Sequence, residues 1–481
     1  MAKLNEAIIP LAIIFGWIIL SLIVGILAGI KKKFTLEGYL VSGRALGLVL
    51  IYVLMTGEIY SAYAFLGAAG WGYSYGMAIM YSLGYGCLAY SFGYFLAGFV
   101  WKLGKKFRYA TQADFFNHRY NSRWLAILVA LVGIVFSIPY LQLQLQGLSY
   151  ILHAGSLGYI PIWVGIVVGM VVMITYVYSS GLKGISWVNL LQATLMFLIA
   201  WVLLLAIPFK EFGSLSLMFE SLPKSHLTLH GSMGIPWYVS TLILCGLGFF
   251  MYPQMYPAIY GAKDLKTLKR NYVLLPLFSL FMIPVVLAGL TVAALGVKLA
   301  TPDEAVLIAT KIAYPSWILG VVGAAGFAAA SSTASAILLT ISGLLSKNIY
   351  GIAKPGATDR ELTLVSRISV ILIGIAAMLL ALYAAGRLVG LILLAYAGVT
   401  QMFPGVVLGL FWKRMNKWAA GAGIIAGIGT IAYLKFFGPG DYLGIHFGLW
   451  GLMINIIVVL IVAFITSSKG ERFQEVREAI K

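Results

Sequence analysis

The chain has 481 residues, 61% of them hydrophobic and 10% charged, with a mean hydropathy of +0.97. A water-soluble globule of this length cannot bury so much apolar surface, so composition excludes that class and makes lipid the solvent. The net charge of +18 would point to nucleic acid in a soluble protein, but beside apolar spans basic residues set orientation, and no nucleic-acid partner is expected.

Stretches long enough to cross about 30 Å at about 1.5 Å per residue fall at 6–30, 45–70, 75–101, 124–152, 159–179, 185–207, 237–259, 271–297, 315–345, 362–385, 388–412, 418–437 and 445–466, thirteen in all. The first is longer than a signal-peptide core, and its positive cluster (Lys31–Lys33) follows the apolar run, so a retained span is expected. Sorting the 33 Lys and Arg by side leaves 26 on one face and 7 on the other. The positive-inside rule then places the N-terminus outside and the C-terminus in the cytoplasm of a multi-pass cell-membrane protein. The longest outer loop, 208–236, is expected to carry a short interfacial helix, and 107–123 an amphipathic connector. Cys87 and Cys245 read as two buried small hydrophobes, with no disulfide or metal site.

Glu58 is the one acidic residue well inside a span, and all five histidines fall in loops or at span ends. Buried His or paired carboxylates for membrane enzymology are therefore missing, which argues against catalysis. The second span, "MTGEIYSAYAFLGAAGWGYSYG", carries Gly57, Gly67, Gly70 and Gly72. The seventh, "CGLGFFMYPQMYPAIYGAKD", carries Gly246, Gly248, Pro253 and Pro257. Such clusters free backbone polar groups at mid-membrane, which is tolerable only against protein or a cavity. The two spans lie five apart, so 45–207 and 237–412 read as five-helix repeats of opposite orientation. The span at 6–30 precedes them, two spans at 418–466 follow, and the whole forms a single transporter domain. Broken first helices in paired repeats mark the binding site of a secondary transporter; the alternative is two kinked helices packing through small residues. The ninth span adds Ser331, Ser332, Thr333 and Ser335 among small residues. These hydroxyls either bond back to their own helix or join freed carbonyls in an oxygen set suited to a hard monovalent cation.

The chain resembles the sodium:solute symporter family over nearly its full length. The residues that carry the likeness are "QMFPGVVLGLFWKRMNKWAAGAGIIAGIGT" (401–430), "EGYLVSGRALG" (37–47), "QADFFNHRY" (112–120) and the ninth span ending "SKNIY" (346–350). The resemblance implies an all-α membrane protein of thirteen helices on a five-plus-five inverted-repeat (LeuT-type) core, moving a solute with Na+ by alternating access. It implies a sodium site made by Gly57 and Tyr60 at the second-span break, with the Ala329 carbonyl and the Ser332 and Thr333 hydroxyls. Where the family often has an acid in the sixth span this chain has Asn189, and Ser335 remains while Ala336 replaces another possible hydroxyl. One sodium per cycle is expected.

The proline branch resembles this chain around "GLGFFMYP", placing Phe249 and Pro253 on the substrate cavity with Tyr252 and Gln254 adjacent. The stretch "PYLQLQLQGLSYIL" (139–152) looks like the monocarboxylate branch. There Gln142 and Gln146 share a helix face at i,i+4 and Gln144 points elsewhere, as cavity amides or as inter-helix hydrogen bonds. No Lys or Arg lies deep in a span, so lactate, pyruvate or a zwitterionic amino acid would be held by amides, helix N–H groups and sodium. Glu58 has three readings: it helps hold the cation, it titrates in proton coupling, or it is neutral and structural. An acid essential for sodium one position away in the proline branch favours the first. The rival functions are a proton-coupled symporter on the same fold, a channel, for which no charged rings or filter repeats are visible, and a sensor. A monomer suffices for the transporter.

Overall fold

The computed structural model describes residues 2–29, 35–466 and 471–481; the Lys31–Lys33 cluster lies outside them. No named strand occurs among the described residues. The principal helices are α1 (Ala2–Gly29), α2 (Leu48–Ile59), α3 (Tyr63–Phe107), α4 (Gln112–Arg119), α5 (Arg123–Gly155), α6 (Ile162–Phe212), α7 (Ile235–Phe249), α8 (Met255–Gly261), α9 (Leu265–Ala294), α10 (Ser316–Ala353), α11 (Asp359–Tyr383), α12 (Leu388–Phe411), α13 (Lys417–Phe436), α14 (Phe447–Ile465) and α15 (Phe473–Ile480). Short helices at Leu215–Glu220 and Lys224–Leu227 occupy the loop expected to hold one.

Among the described residues ten helices are long and apolar enough to cross a membrane, or eleven if the pair Lys224–Met233 and Ile235–Phe249, bent by 77°, counts as one span. This is fewer than thirteen for a physical reason. α3 and α6 run 45 and 51 residues without a loop, about 68 and 77 Å of helix at 1.5 Å per residue, roughly twice a hydrocarbon core. In α6 the expected 180–184 loop is one residue, Gly181, at φ 58° and ψ −157°. Only glycine takes that conformation readily, and a Cβ there would lie 2.6 Å from Tyr39. The second and seventh spans fall below the length test because each is interrupted: α2 gives way to α3 across Tyr60–Ala62, and α7 to α8 across Phe250–Gln254.

Small residues put α10 at the centre. It packs against α1, α5 and α6, and its stretch from Gly323 to Gly343 is buried throughout. Gly320, Gly323 and Gly326 let it approach Pro10, Ile14 and Ile151 so closely that added Cβ atoms would lie 2.6–2.9 Å away. Backbones meet this way where lipid offers no hydrophobic drive. Of the two cysteines only Cys245 is buried; Cys87 is exposed, because a helix face turned to lipid is as apolar as one turned inward. The connector α4 is less amphipathic than expected, with six of its eight residues buried. Among them is Arg119, which donates to the carbonyls of Gly409 (2.7 Å), Glu471 (2.6 Å) and Met415 (3.1 Å).

Candidate functional site

The first break is built by Gly57 and the residues after it. Tyr60 leaves the helix at φ −93° and ψ 89°, its N–H still bonded to the Thr56 carbonyl at 2.9 Å. The freed N–H of Ala62 donates to Gln144 Oε1 at 2.9 Å. Gly57 must be glycine here, since a Cβ would sit 2.3 Å from Asn189 Nδ2. Its carbonyl accepts two hydroxyls from α10, Ser332 Oγ at 2.9 Å and Thr333 Oγ1 at 2.8 Å. Ser332 also donates to the Ala329 carbonyl at 3.0 Å, and Ser335 to the Ser332 carbonyl at 2.8 Å. Four oxygens, the Gly57 and Ala329 carbonyls and the Ser332 and Thr333 hydroxyls, therefore converge from segments some 275 residues apart, all uncharged and all buried. Asn189 Nδ2 reaches the Leu54 carbonyl at 3.5 Å, while its Oδ1 has no partner. Ser331 is turned away and accepts from Gln192 Nε2 at 2.8 Å.

Glu58 follows Gly57. Its side chain is buried and neither carboxyl oxygen has a hydrogen-bond partner, while its carbonyl accepts from Tyr140 OH at 3.4 Å. Tyr60's hydroxyl donates to Ser279 Oγ at 2.6 Å and its ring packs on Phe278 and Phe281, so the residue contributes backbone to the break and anchors α9 with its side chain.

The second break is lined by rings. Tyr252 lies 5.1 Å from Tyr140 and 4.8 Å from Tyr396, and Phe249 packs edge-on to Tyr90 at 5.7 Å. Tyr252 OH and Gln254 Oε1 are buried without partners. Pro253 packs toward Gly133 of α5. Tyr140 stands between the breaks, touching Glu58 of one and Tyr252 of the other.

The three glutamines of α5 divide as their i,i+4 spacing predicts, and Gln142 and Gln146 take the inter-helix alternative. Gln142 donates to the Leu380 and Ala384 carbonyls at 3.3 and 2.5 Å. Gln146 faces the Gly386 peptide, donating to its carbonyl at 2.8 Å and accepting from its N–H at 3.1 Å. Both are spent on the segment joining α11 to α12. Gln144, between them, reaches the first break and keeps its Nε2 unpartnered. No sequence signal separates it from its neighbours except the parity that turns it to the other face.

Away from the breaks, α10 is held at its far end by Asp114 of α4, which pairs with Lys347 Nζ at 2.7 Å and accepts from Asn348 Nδ2 at 2.9 Å. Burial alone would raise the Asp114 pKa, but Lys347, Asn348 and the Ala110 N–H outweigh it and hold the carboxyl below its ordinary value. No group of three or more His, Cys, Asp or Glu able to hold a metal occurs among the described residues.

A family model described as the Sodium:solute symporter family matches residues 39–427. An uncharacterized symporter of Bacillus subtilis, YhjB, is 34% identical over 480 residues, covering 96% of this chain and 98% of that one. A monocarboxylate transport permease of Rhizobium johnstonii is 25% identical over 96% of this chain and 97% of its own. The osmoregulated proline transporter OpuE of B. subtilis is 28% identical over 96% and 95%. Among solved structures, a Na+-coupled sialic acid symporter in a substrate-bound outward-open state superposes with a TM-score of 0.80 at 21% identity, over 96% of this chain and 99% of that one. At that identity the likeness speaks for the fold.

Proposed function

The chain belongs to the sodium:solute symporter family, and on that premise we propose that it is a sodium-coupled symporter of a small organic solute. One observation carries the reading: two hydroxyls of α10 and the Gly57 carbonyl meet across the first break with no formal charge among them. A monovalent cation entering there replaces the two O–H···O bonds with cation–oxygen contacts, as the hydroxyls rotate and present lone pairs. Gly57, Tyr60 and Ala329 supply backbone oxygen, Ser332 and Thr333 hydroxyl oxygen, and one sodium moves per cycle. Because the site joins α2 to α10, sodium and solute each favour the state in which those helices are together, which is the coupling.

The solute sits between the breaks. Gln144 Nε2, Tyr252 OH and the Ser61 hydroxyl are free donors there and Tyr140, Tyr252 and Tyr396 the walls, which suits a lactate- or pyruvate-sized carboxylate, or a small amino acid, near a bound cation. On this reading Phe249, Pro253 and Gln254 shape the cavity, and Gln142 and Gln146 hold the loop above it.

The architecture proposed is thirteen crossings in a five-plus-five inverted repeat: α2 with the first part of α3 is the broken second span, the rest of α3 the third, α6 counts as two, and α7 with α8 is the broken seventh. The charge asymmetry supports an N-terminus outside and a C-terminus in the cytoplasm. In proteoliposomes, an inward sodium gradient should drive uptake of labelled pyruvate, lactate or proline where potassium does not, and Ser332→Ala should abolish it. A second reading is favoured by the unpartnered carboxyl of Glu58: coupling to protons. It predicts uptake driven by a pH gradient without sodium and lost in Glu58→Gln.

A further inference from the structure

One basic cleft stands apart from both breaks. It occupies about 590 Å3 and is lined by Asn117, Asn121, Arg123, Trp124, Lys417 and Arg472 among others, with no acidic side chain in its wall. Arg123 makes no ion pair among the described residues, and the partners of Lys417 and Arg472 (Glu471 and Glu475) are 3.9 Å away. His118, also in the wall, has Glu475 at 3.3 Å on its far nitrogen. The cleft lies where α5 and α13 begin side by side, capped by Ser122 and Asn416, so both helix dipoles add to the positive potential. Trp124 and Trp418, each in the first turn of its helix, stack at 5.6 Å and 30° with 38% and 54% of their surface exposed. Gly421 makes room for the pair, as a Cβ there would lie 2.2 Å from the Trp124 ring.

Exposed tryptophans at the ends of apolar helices mark the membrane–water interface. The cations therefore face the level of lipid headgroups, where a basic pocket between helices recognises anionic lipid. We propose that this cleft binds the phosphate headgroup of an anionic phospholipid, with Arg123, Lys417 and Arg472 on the phosphate and the tryptophan pair against the upper glycerol and acyl region. The inference does not rest on the sodium or solute reading, since it uses neither break.

The test uses the full chain in nanodiscs of phosphatidylcholine, with and without phosphatidylglycerol. Wild type should gain ~2 °C or more in Tm from phosphatidylglycerol, and native mass spectrometry should show the lipid retained. Arg123→Gln combined with Lys417→Gln should lose both, while keeping its Tm in phosphatidylcholine. Lys266→Gln combined with Lys269→Gln, which removes equal charge elsewhere, should keep both. Equal stabilisation of all three proteins, or none, overturns the proposal. So does a matching shift from inorganic phosphate in phosphatidylcholine discs, which would make the ligand a free anion.

Discussion

The two interrupted helices meet the same problem, freed backbone in a membrane, in opposite ways. At the first break the freed backbone groups find polar partners, Gln144 taking the Ala62 N–H and the α10 hydroxyls the Gly57 carbonyl, while the Glu58 carboxyl, Asn189 Oδ1 and Gln144 Nε2 beside them have none. At the second the backbone is packed in aromatic rings, and the side-chain groups Tyr252 OH and Gln254 Oε1 are left without partners. A closed set of neutral oxygens suits a small spherical ion. Unpartnered groups among rings suit a flat organic molecule whose own polar atoms complete the bonding. On the proposed reading the contrast separates cation chemistry at the first break from solute chemistry at the second, with Tyr140 between them.

The comparison breaks most visibly at Gly57. Gly57→Ala drives a Cβ into Asn189 and should cost about 1–3 kcal/mol by overpacking, with sodium dependence lost as α2 and α10 are pushed apart. Adding Asn189→Ala should recover much of the stability, and a thermal-melt double-mutant cycle reads the coupling. Gln144→Leu leaves the Ala62 N–H buried without an acceptor and should cost about 1–3 kcal/mol, weakening solute and sodium binding together because its oxygen closes the first break and its free Nε2 is the proposed solute donor. Tyr252→Phe should touch only the second region. Solute affinity should fall by the ~0.5–1.5 kcal/mol of one hydrogen bond, while sodium-induced stabilisation stays as in wild type, and binding calorimetry in sodium checks it.

A pH-dependent effect, separate from both breaks, is expected where α3 meets the start of α12. Asp303 packs against Gly70 of α3 and accepts from the Leu388 N–H that begins α12 at 3.2 Å. Burial raises its pKa to about 6, against the opposing pull of that N–H and of Arg387. An acid whose folded pKa is raised holds its proton more tightly when folded. Its stabilising contribution is therefore whole below the ordinary value near 4 and is lost as pH rises to about 6. Asp303→Asn should flatten that part of the stability–pH curve, read by melts across the window.

Much of this was legible in the sequence. The apolar runs gave a multi-pass helical protein, and glycine beside a mid-span acid located the first break. Hydroxyls among alanines marked the segment of α10 that meets it. The motif resemblance supplied the pairing of those two segments, which spacing alone cannot. What misled was local reasoning about partners. The i,i+4 spacing of Gln142 and Gln146 says they share a face, but not that this face turns to carbonyls some 240 residues away, leaving Gln144 for the break. Likewise 180–184, with Ser180, Gly181, Lys183 and Gly184, reads as a loop, yet one positive-φ glycine lets the helix continue through it.

The central claim is tested most directly by thermal unfolding of purified protein in NaCl against KCl and choline chloride, with Ser332→Ala and Thr333→Ala alongside. The account predicts a sodium-specific rise in Tm for wild type that shrinks or disappears in both variants. A rise of equal size in the variants would put the cation elsewhere, and no sodium effect at any pH would contradict sodium coupling itself.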